Sequence, residues 1–322
     1  MRMKPNGFIN KMRVLIVGAG ALGGYFGARL AESGLAVSLY AHTRAKALLI
    51  ERQGLILTGQ DGVSRVSRMP VYYRIGDVPP VDLALVLVKS YDTAAAASAI
   101  AKLYGKPRPL VLSLQNCLGN LEQLAAVLGG DCLLGGVTYE AAYEQAPGRI
   151  LHTGSGNTCI APFLPKQAEA AAKCAAIFNA AGLQALAATT AELDLLRWQK
   201  LIVNAAINPL TAIYRLRNGE LAKSEQVRGE MMNLTREAVA VAQSLGISVD
   251  FAVVWRMVLD TCRKTAANRS SMLSDIERGR KTEIEEINGS IVALGRRAGL
   301  KMPGQERVLD LVRQLAAEGN PT

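Results

Sequence analysis

Hydrophobic positions in the first half of the chain fall into short unbroken runs separated by alanine-rich stretches. "MRVLIV" (12–17), "AVSLY" (36–40), "LALVLV" (83–88) and "LVLSL" (110–114) have the length of strands. Their lack of polar alternation is what strands buried on both faces require. Between them, "LGGYFGARLAESG" (22–34), "YDTAAAASAIAKLYG" (91–105) and "NLEQLAAVLGG" (120–130) read as helices. Alternating strand and helix predicts a parallel sheet covered on both faces. Shorter apolar runs at 133–138, 149–152, 158–161 and 184–187 are candidates to extend that sheet. From about 189 the strand pattern stops and long helical periodicity takes over, punctuated by Pro209, Gly246 and Pro303.

Directly after the first run the chain reads "GAGALGG". Gly18, Gly20 and Gly23 stand in G-x-G-x-x-G spacing between a strand and a helix. The first glycine makes the turn, the second lets backbone approach a pyrophosphate, and the third lets helix and strand pack closely. A lone glycine motif is equally an ordinary tight turn; the strand–loop–helix context favours dinucleotide binding. The predicted architecture is α/β: a Rossmann-type doubly wound domain over 12–188, followed by an all-helical domain over 189–322. Residues 1–11, "MRMKPNGFINK", are polar, lack the apolar segment of a signal peptide and read as a disordered leader, with Met12 an alternative start.

The second strand ends "SLYAHTR". An NAD site usually places an acid there for the adenine ribose, whereas this chain has Ala41, His42, Thr43 and Arg44. That favours a 2′-phosphate, hence NADPH/NADP+, with Arg44 the candidate contact; the alternative is a solvated helix-start residue. Lys89 and Asn116 follow two further strands, at the carboxyl ends where open α/β sheets bind ligands.

In the second half, "RWQKLIVNAAINPL" (197–210) carries Lys200, Asn204 and Asn208 at a spacing of four in an otherwise apolar helix. Successive members are offset by about 40° and rise about 6 Å, so they form one polar stripe. A solvent-facing stripe is the ordinary reading, but the remaining faces are too apolar for that. Hydride delivery to a ketone creates an alkoxide that a lysine ammonium can protonate, while asparagines offer uncharged donors.

Composition narrows the classes. A length of 322 residues suits two domains. No apolar run approaches the roughly 20 residues of a membrane span. The five cysteines form no CxxC pair and read as reduced residues of a cytoplasmic protein, and two histidines argue against a histidine-rich metal site. The net charge of +10 is scattered rather than gathered into aromatic-interleaved basic runs, so it suits anionic small ligands better than nucleic acid.

The chain resembles the 2-dehydropantoate 2-reductase (ketopantoate reductase) family from about Met12 to its end. The resemblance is carried by "GAGALGG", "LVKSYD", "LQNCLGN", "RWQKLIVNAAINPLTAIYRLRNGEL", "NRSSMLSDIERGRKTEIEEINGSI" and "MPGQERVLDLV". It implies NADPH-dependent reduction of 2-dehydropantoate to (R)-pantoate in pantothenate biosynthesis. It implies Lys200 as general acid, with Glu283 beside the nicotinamide ribose and the active centre. Asn204, Asn208, Asn218 and Asn116 would bind substrate, and Ser271 would meet its carboxylate. Gly18, Ala19, Gly20, Ala21, Leu22, Gly23, Arg44, Lys89, Asn116, Ala142 and Glu283 would contact the cofactor.

Two positions depart from the family pattern. His42 stands where an arginine is common, and Asn116-Cys117 replaces the usual Asn-Gly. Cys117 either fills space or narrows the pocket and sensitises it to oxidation. The alternatives are a reductase of another 2-keto acid and, from a different class, a non-catalytic NADP-binding sensor. The sequence does not set the oligomeric state; its extended apolar helices are compatible with a homodimer.

Overall fold

The computed structural model describes residues 12–103 and 108–318. The leader expected at 1–11 and the end of the helix expected over 91–105 lie outside the described residues. The chain divides into two compact units. One comprises residues up to Gln115 together with Gly119–Leu193, and the other Asn116–Leu118 together with residues from Asp194 onward.

The elements of the first unit run β1 (Arg13–Val17), α1 (Ala21–Glu32), β2 (Ala36–Tyr40), α2 (Arg44–Gln53), β3 (Leu55–Thr58), β4 (Ser64–Ser67), β5 (Val71–Tyr72), β6 (Leu83–Val86), α3 (Thr93–Ala101), β7 (Leu110–Ser113), α4 (Asn120–Leu128), β8 (Leu133–Thr138), β9 (Ala141–Ala146), β10 (Arg149–Gly154), β11 (Thr158–Pro162), α5 (Ala168–Ala180) and β12 (Ala185–Ala187). An eight-stranded sheet takes the order β12-β11-β8-β7-β6-β1-β2-β5. The six strands from β8 to β5 pair in parallel; β11 lies antiparallel against β8 and β12 parallel to β11, so these two run opposite to the rest. Val14, Leu15 and Ile16 of β1 and Leu83, Ala84, Leu85 and Val86 of β6 are buried on both faces, which is why their sequence does not alternate. In β8, a Cβ at Gly135 would stand 2.5 Å from Leu121, and one at Gly136 would stand 2.7 Å from the Cys159 carbonyl oxygen. Glycine there lets the helix layer and the neighbouring strand close on β8.

The run at 149–152 does not extend this sheet. It belongs to β10, in a separate four-stranded sheet of order β4-β3-β10-β9. The Pro147-Gly148 corner, with Gly148 in the left-handed region, folds β10 back antiparallel on β9. β10 then pairs in parallel with β3. Only its Ile150 is fully buried. Ile150 fits against Gly24 of α1, where a Cβ would approach it to 2.6 Å. His152 stacks on Tyr25 of α1 at 4.4 Å, and its Nε2 lies 2.8 Å from Glu140 Oε2. A short run with one buried side chain carries no information about which sheet it joins.

The second unit is helical: α6 (Thr190–Tyr214, entering from the first unit), α7 (Asn218–Leu221), α8 (Glu225–Ser244), α9 (Phe251–Lys264), α10 (Ser271–Glu277), a π-helical turn at Glu285–Gly289, α11 (Ser290–Arg297) and α12 (Pro303–Glu318). Its core joins Trp198, Leu201, Ile202 and Ala205 of α6 to Ala238 and Val241 of α8 and to Ile284, Ile287 and Ile291. Pro209 was expected to punctuate the helix; instead it sits inside α6, which continues to Tyr214. Proline at this position deprives the Ala205 carbonyl of its intrahelical donor. Asn288 Nδ2, fully buried in the π-helical turn, donates to that carbonyl at 3.0 Å. The helix therefore survives its proline through a side chain from elsewhere in the unit. Among the described residues, no helix is long and apolar enough to cross a membrane.

Candidate active site

The glycine loop has the geometry of a phosphate cradle. Gly18 adopts a φ of +109°, and a Cβ there would lie 2.8 Å from the Val88 nitrogen. A Cβ at Gly23 would lie 1.8 Å from the Gly18 carbonyl oxygen, so only glycine lets α1 start against this loop. Gly20 is different: a Cβ there would meet nothing within 4 Å. Gly20 caps α1 without a side-chain acceptor, and the first turn, Ala21 and Leu22 included, holds no acid. The helix therefore presents backbone N–H groups to open space beside Ala19 and Gly20, which suits a pyrophosphate.

Lys89 follows β6 and Asn116 follows β7, and their loops are tied together. Gln115 Nε2 donates to the Val88 carbonyl at 3.1 Å and to the Thr93 hydroxyl at 2.8 Å. The Thr93 hydroxyl lies 2.8 Å from Asn120 Oδ1, and Asn120 Nδ2 donates to Ser90 Oγ at 3.2 Å. Ser90, Thr93 and Asn120 are buried. The motifs "LVKSYD" and "LQNCLGN" thus owe several of their polar residues to one network. Sequence reasoning named the ends of these loops and missed what links them. Ala142 lies in β9, opposite His152. Arg44 is the first residue of α2, behind the Thr43 cap, and both it and His42 are exposed.

In the helical unit, Lys200, Asn204 and Asn208 share one face of α6. Lys200 and Asn204 are half-buried and Asn208 is buried. Burial pushes the Lys200 amine down to about 8, against the opposing pull of Cys117 and then of the Glu283 carboxylate. Glu283 is only 6% exposed and lies two residues before the π-helical turn, a feature that recurs at functional sites. Burial, and then the neighbouring Glu283 charge, hold the Glu286 carboxyl above the usual range. Cys117 is buried against the same core as Trp198 and Leu201, with a left-handed φ of 75°.

Asn218 is buried at the start of α7. Its Nδ2 donates to Thr265 Oγ1 at 2.8 Å, while its Oδ1 has no hydrogen-bond partner among the described residues. A buried amide oxygen left open in this way fits a ligand hydroxyl. Ser271 is exposed at the first position of α10; its neighbour Ser270 is the cap, accepting from the Leu273 N–H at 3.0 Å. The Thr211 and Ser270 hydroxyls lie 2.6 Å apart, tying the end of the α6 stripe to the turn that carries Ser271.

The family model described as ketopantoate reductase PanE/ApbA matches residues 14–165, and its C-terminal counterpart matches residues 192–316. The chain belongs to the ketopantoate reductase family. It is accordingly an oxidoreductase of the class acting on CH–OH groups. The 2-dehydropantoate 2-reductase of Halobacterium salinarum is 34% identical over 308 residues, covering 96% of this chain and all of that one. A PanE/ApbA family ketopantoate reductase from Ralstonia eutropha superposes with a TM-score of 0.84 at 34% identity, over 96% of this chain and 99% of that one. A D-mandelate dehydrogenase, solved with NADH and anilino(oxo)acetate, superposes with a TM-score of 0.91 at 25% identity, over 96% of this chain and 100% of that one.

For a ketopantoate reductase family member, the residues that sequence reasoning overlooked are those that hold the machinery in place. Asn288 bonds the Ala205 carbonyl and also Gln305 Oε1 at 2.8 Å, and Gln305 Nε2 bonds the Leu234 carbonyl at 2.9 Å. Glu237 of α8 accepts the Gly304 and Gln305 N–H groups at 2.9 Å. The available signal was a fully polar residue, Asn288, inside the apolar register of "IEEINGSIVAL".

Proposed function

We propose that the chain catalyses the NADPH-dependent reduction of ketopantoate to (R)-pantoate. The observation that carries this reading is the Lys200–Asn204–Asn208 face of α6, with an amine whose pKa is drawn down to about 8 beside the buried Glu283 carboxylate. The names of the curated relatives and of the Ralstonia eutropha structure supply the substrate class.

The cofactor, when bound, supplies hydride to the ketone carbon. The N–H groups at the start of α1 would hold its pyrophosphate, and Lys89 and Asn116 would be among its contacts. Lys200 donates a hydrogen bond to the ketone oxygen and gives up a proton as that oxygen gains charge. An ammonium near pKa 8 is a stronger acid than an ordinary lysine yet still mostly protonated at neutral pH. Glu283 keeps the amine charged and aimed. Asn204, Asn208 and the open Oδ1 of Asn218 hold the substrate hydroxyl and carbonyl groups, and Ser271 receives its carboxylate. Replacing Lys200 with Ala should lower kcat by about 10²–10⁴-fold while leaving dinucleotide affinity intact. A variant with near-normal kcat would remove the lysine from the mechanism.

The D-mandelate dehydrogenase likeness, together with Cys117 in place of glycine beside Lys200, favours one second reading: reduction of a 2-keto acid with a different tail. The chemistry at Lys200 would be the same and the pocket different.

A further inference from the structure

β5 borders β2 in parallel, pairing Leu39 with Val71 and Tyr40 with Tyr72. The Ala41 N–H donates to the Tyr72 carbonyl at 2.8 Å, and the Gly18 N–H donates to the Tyr40 carbonyl at 3.1 Å. Three segments therefore leave the carboxyl edge of the sheet side by side: the glycine loop, Ala41–Arg44, and Tyr73–Arg74. In open α/β sheets the adenine ribose of a bound dinucleotide sits just beyond the end of the second strand.

Tyr73 is half-buried against the core of the unit. The Arg44 guanidinium lies 5.9 Å from its ring centroid and the Arg74 guanidinium 5.5 Å. Both arginines are exposed, and neither makes an ion pair or hydrogen bond with a described side chain. The next cation along α2, Lys46, is already paired with the buried Glu144. Two guanidinium groups thus converge on one aromatic ring, with their fork of donors unused. A ring attracts each cation through its quadrupole and limits its rotamers. The arrangement is pre-organised for a dianion with several acceptor oxygens, which arginine recognises through paired hydrogen bonds.

We infer that Arg74, presented with Arg44 on the ring of Tyr73, is the second anchor for the 2′-phosphate of NADPH and sets the preference for the phosphorylated dinucleotide. This rests on the reading that a nicotinamide dinucleotide occupies the glycine loop. It explains how the chain manages with His42 where the family commonly has arginine: the positive charge arrives from the edge strand β5 instead.

The test is calorimetric titration of the full chain with NADP+, NAD+, 2′,5′-ADP, 5′-AMP and inorganic phosphate, for the unmodified protein and for Arg74→Ala, Arg74→Lys and Tyr73→Leu. Arg74→Ala should weaken NADP+ and 2′,5′-ADP by about 10–100-fold, the scale of a lost charge-assisted pair. It should leave NAD+ and 5′-AMP within about twofold. Arg74→Lys, which keeps the charge without the fork, should fall between. Tyr73→Leu should weaken the 2′-phosphorylated ligands only. Equal loss for 2′,5′-ADP and 5′-AMP, or no loss for either, would overturn the inference and leave the reductase reading standing. Phosphate binding that depends on Arg74 without discrimination between the two nucleotides would also overturn it, making this an unspecific anion site. If the unmodified protein binds neither dinucleotide, the reductase reading fails first and this inference with it.

Discussion

Replacing Asn288 with Ala removes the donor that serves the Ala205 carbonyl in place of the missing Pro209 N–H. It also strips Gln305 Oε1 of its 2.8 Å donor. Ala205, Asn288 and Gln305 are all fully buried, so water cannot step in without local opening. Each orphaned buried acceptor costs about 1–3 kcal/mol, giving a loss of about 2–6 kcal/mol for the variant. Pro209→Ala restores a backbone N–H at the position whose intrahelical partner is Ala205. In the double variant one of the two orphans is therefore satisfied, and about 1–2 kcal/mol of the Asn288→Ala loss should return as coupling. Urea unfolding followed by tryptophan fluorescence reads this directly. The chain has two tryptophans, Trp198 on α6 and Trp255 on α9, so the signal reports the helical unit. A shift in midpoint at constant slope measures stability. Strictly additive variants, with coupling below about 0.5 kcal/mol, would refute the claim that Asn288 substitutes for the proline's missing donor.

Three further outcomes are expected. With Lys200 near 8 and its ammonium acting as proton donor, kcat should be flat below about pH 8 and fall tenfold per unit above it; a pH–rate profile flat to pH 10 would contradict this. The same depressed value means that the unfolded chain holds more protons between pH 8 and the ordinary lysine value of 10.5, so this residue makes stability rise with pH across that window. At position 117 the left-handed backbone should make Cys117→Gly more stable than Cys117→Ala by about 1 kcal/mol. Thermal unfolding of the pair checks the order, and a more stable alanine variant would refute the strain.

What the sequence made legible depended on the kind of signal. The strands β1, β2, β6 and β7 were visible because burial on both faces forbids polar alternation. The phosphate loop was visible because two of its glycines are sterically obligatory. The four-residue spacing on α6 was visible because a polar stripe in an apolar helix has few explanations. The second sheet was not: β3 alternates over only four residues, β4 is largely exposed, and β10 buries a single isoleucine. Pro209 read as a stop because the residue that rescues it lies 79 positions away, and Arg74 went unread because only the β2–β5 pairing brings it to Arg44. Both depend on tertiary neighbours that periodicity does not encode.

The most direct test of the account follows reduced-nicotinamide absorbance with purified protein, offering NADPH or NADH against ketopantoate and a panel of 2-keto acids with other tails. Rapid NADPH oxidation confined to ketopantoate, abolished by Lys200→Ala, is the expected result. Turnover only of a different 2-keto acid would contradict the assigned substrate while keeping the lysine chemistry. No turnover of any keto acid, with NADPH bound, would contradict the central claim.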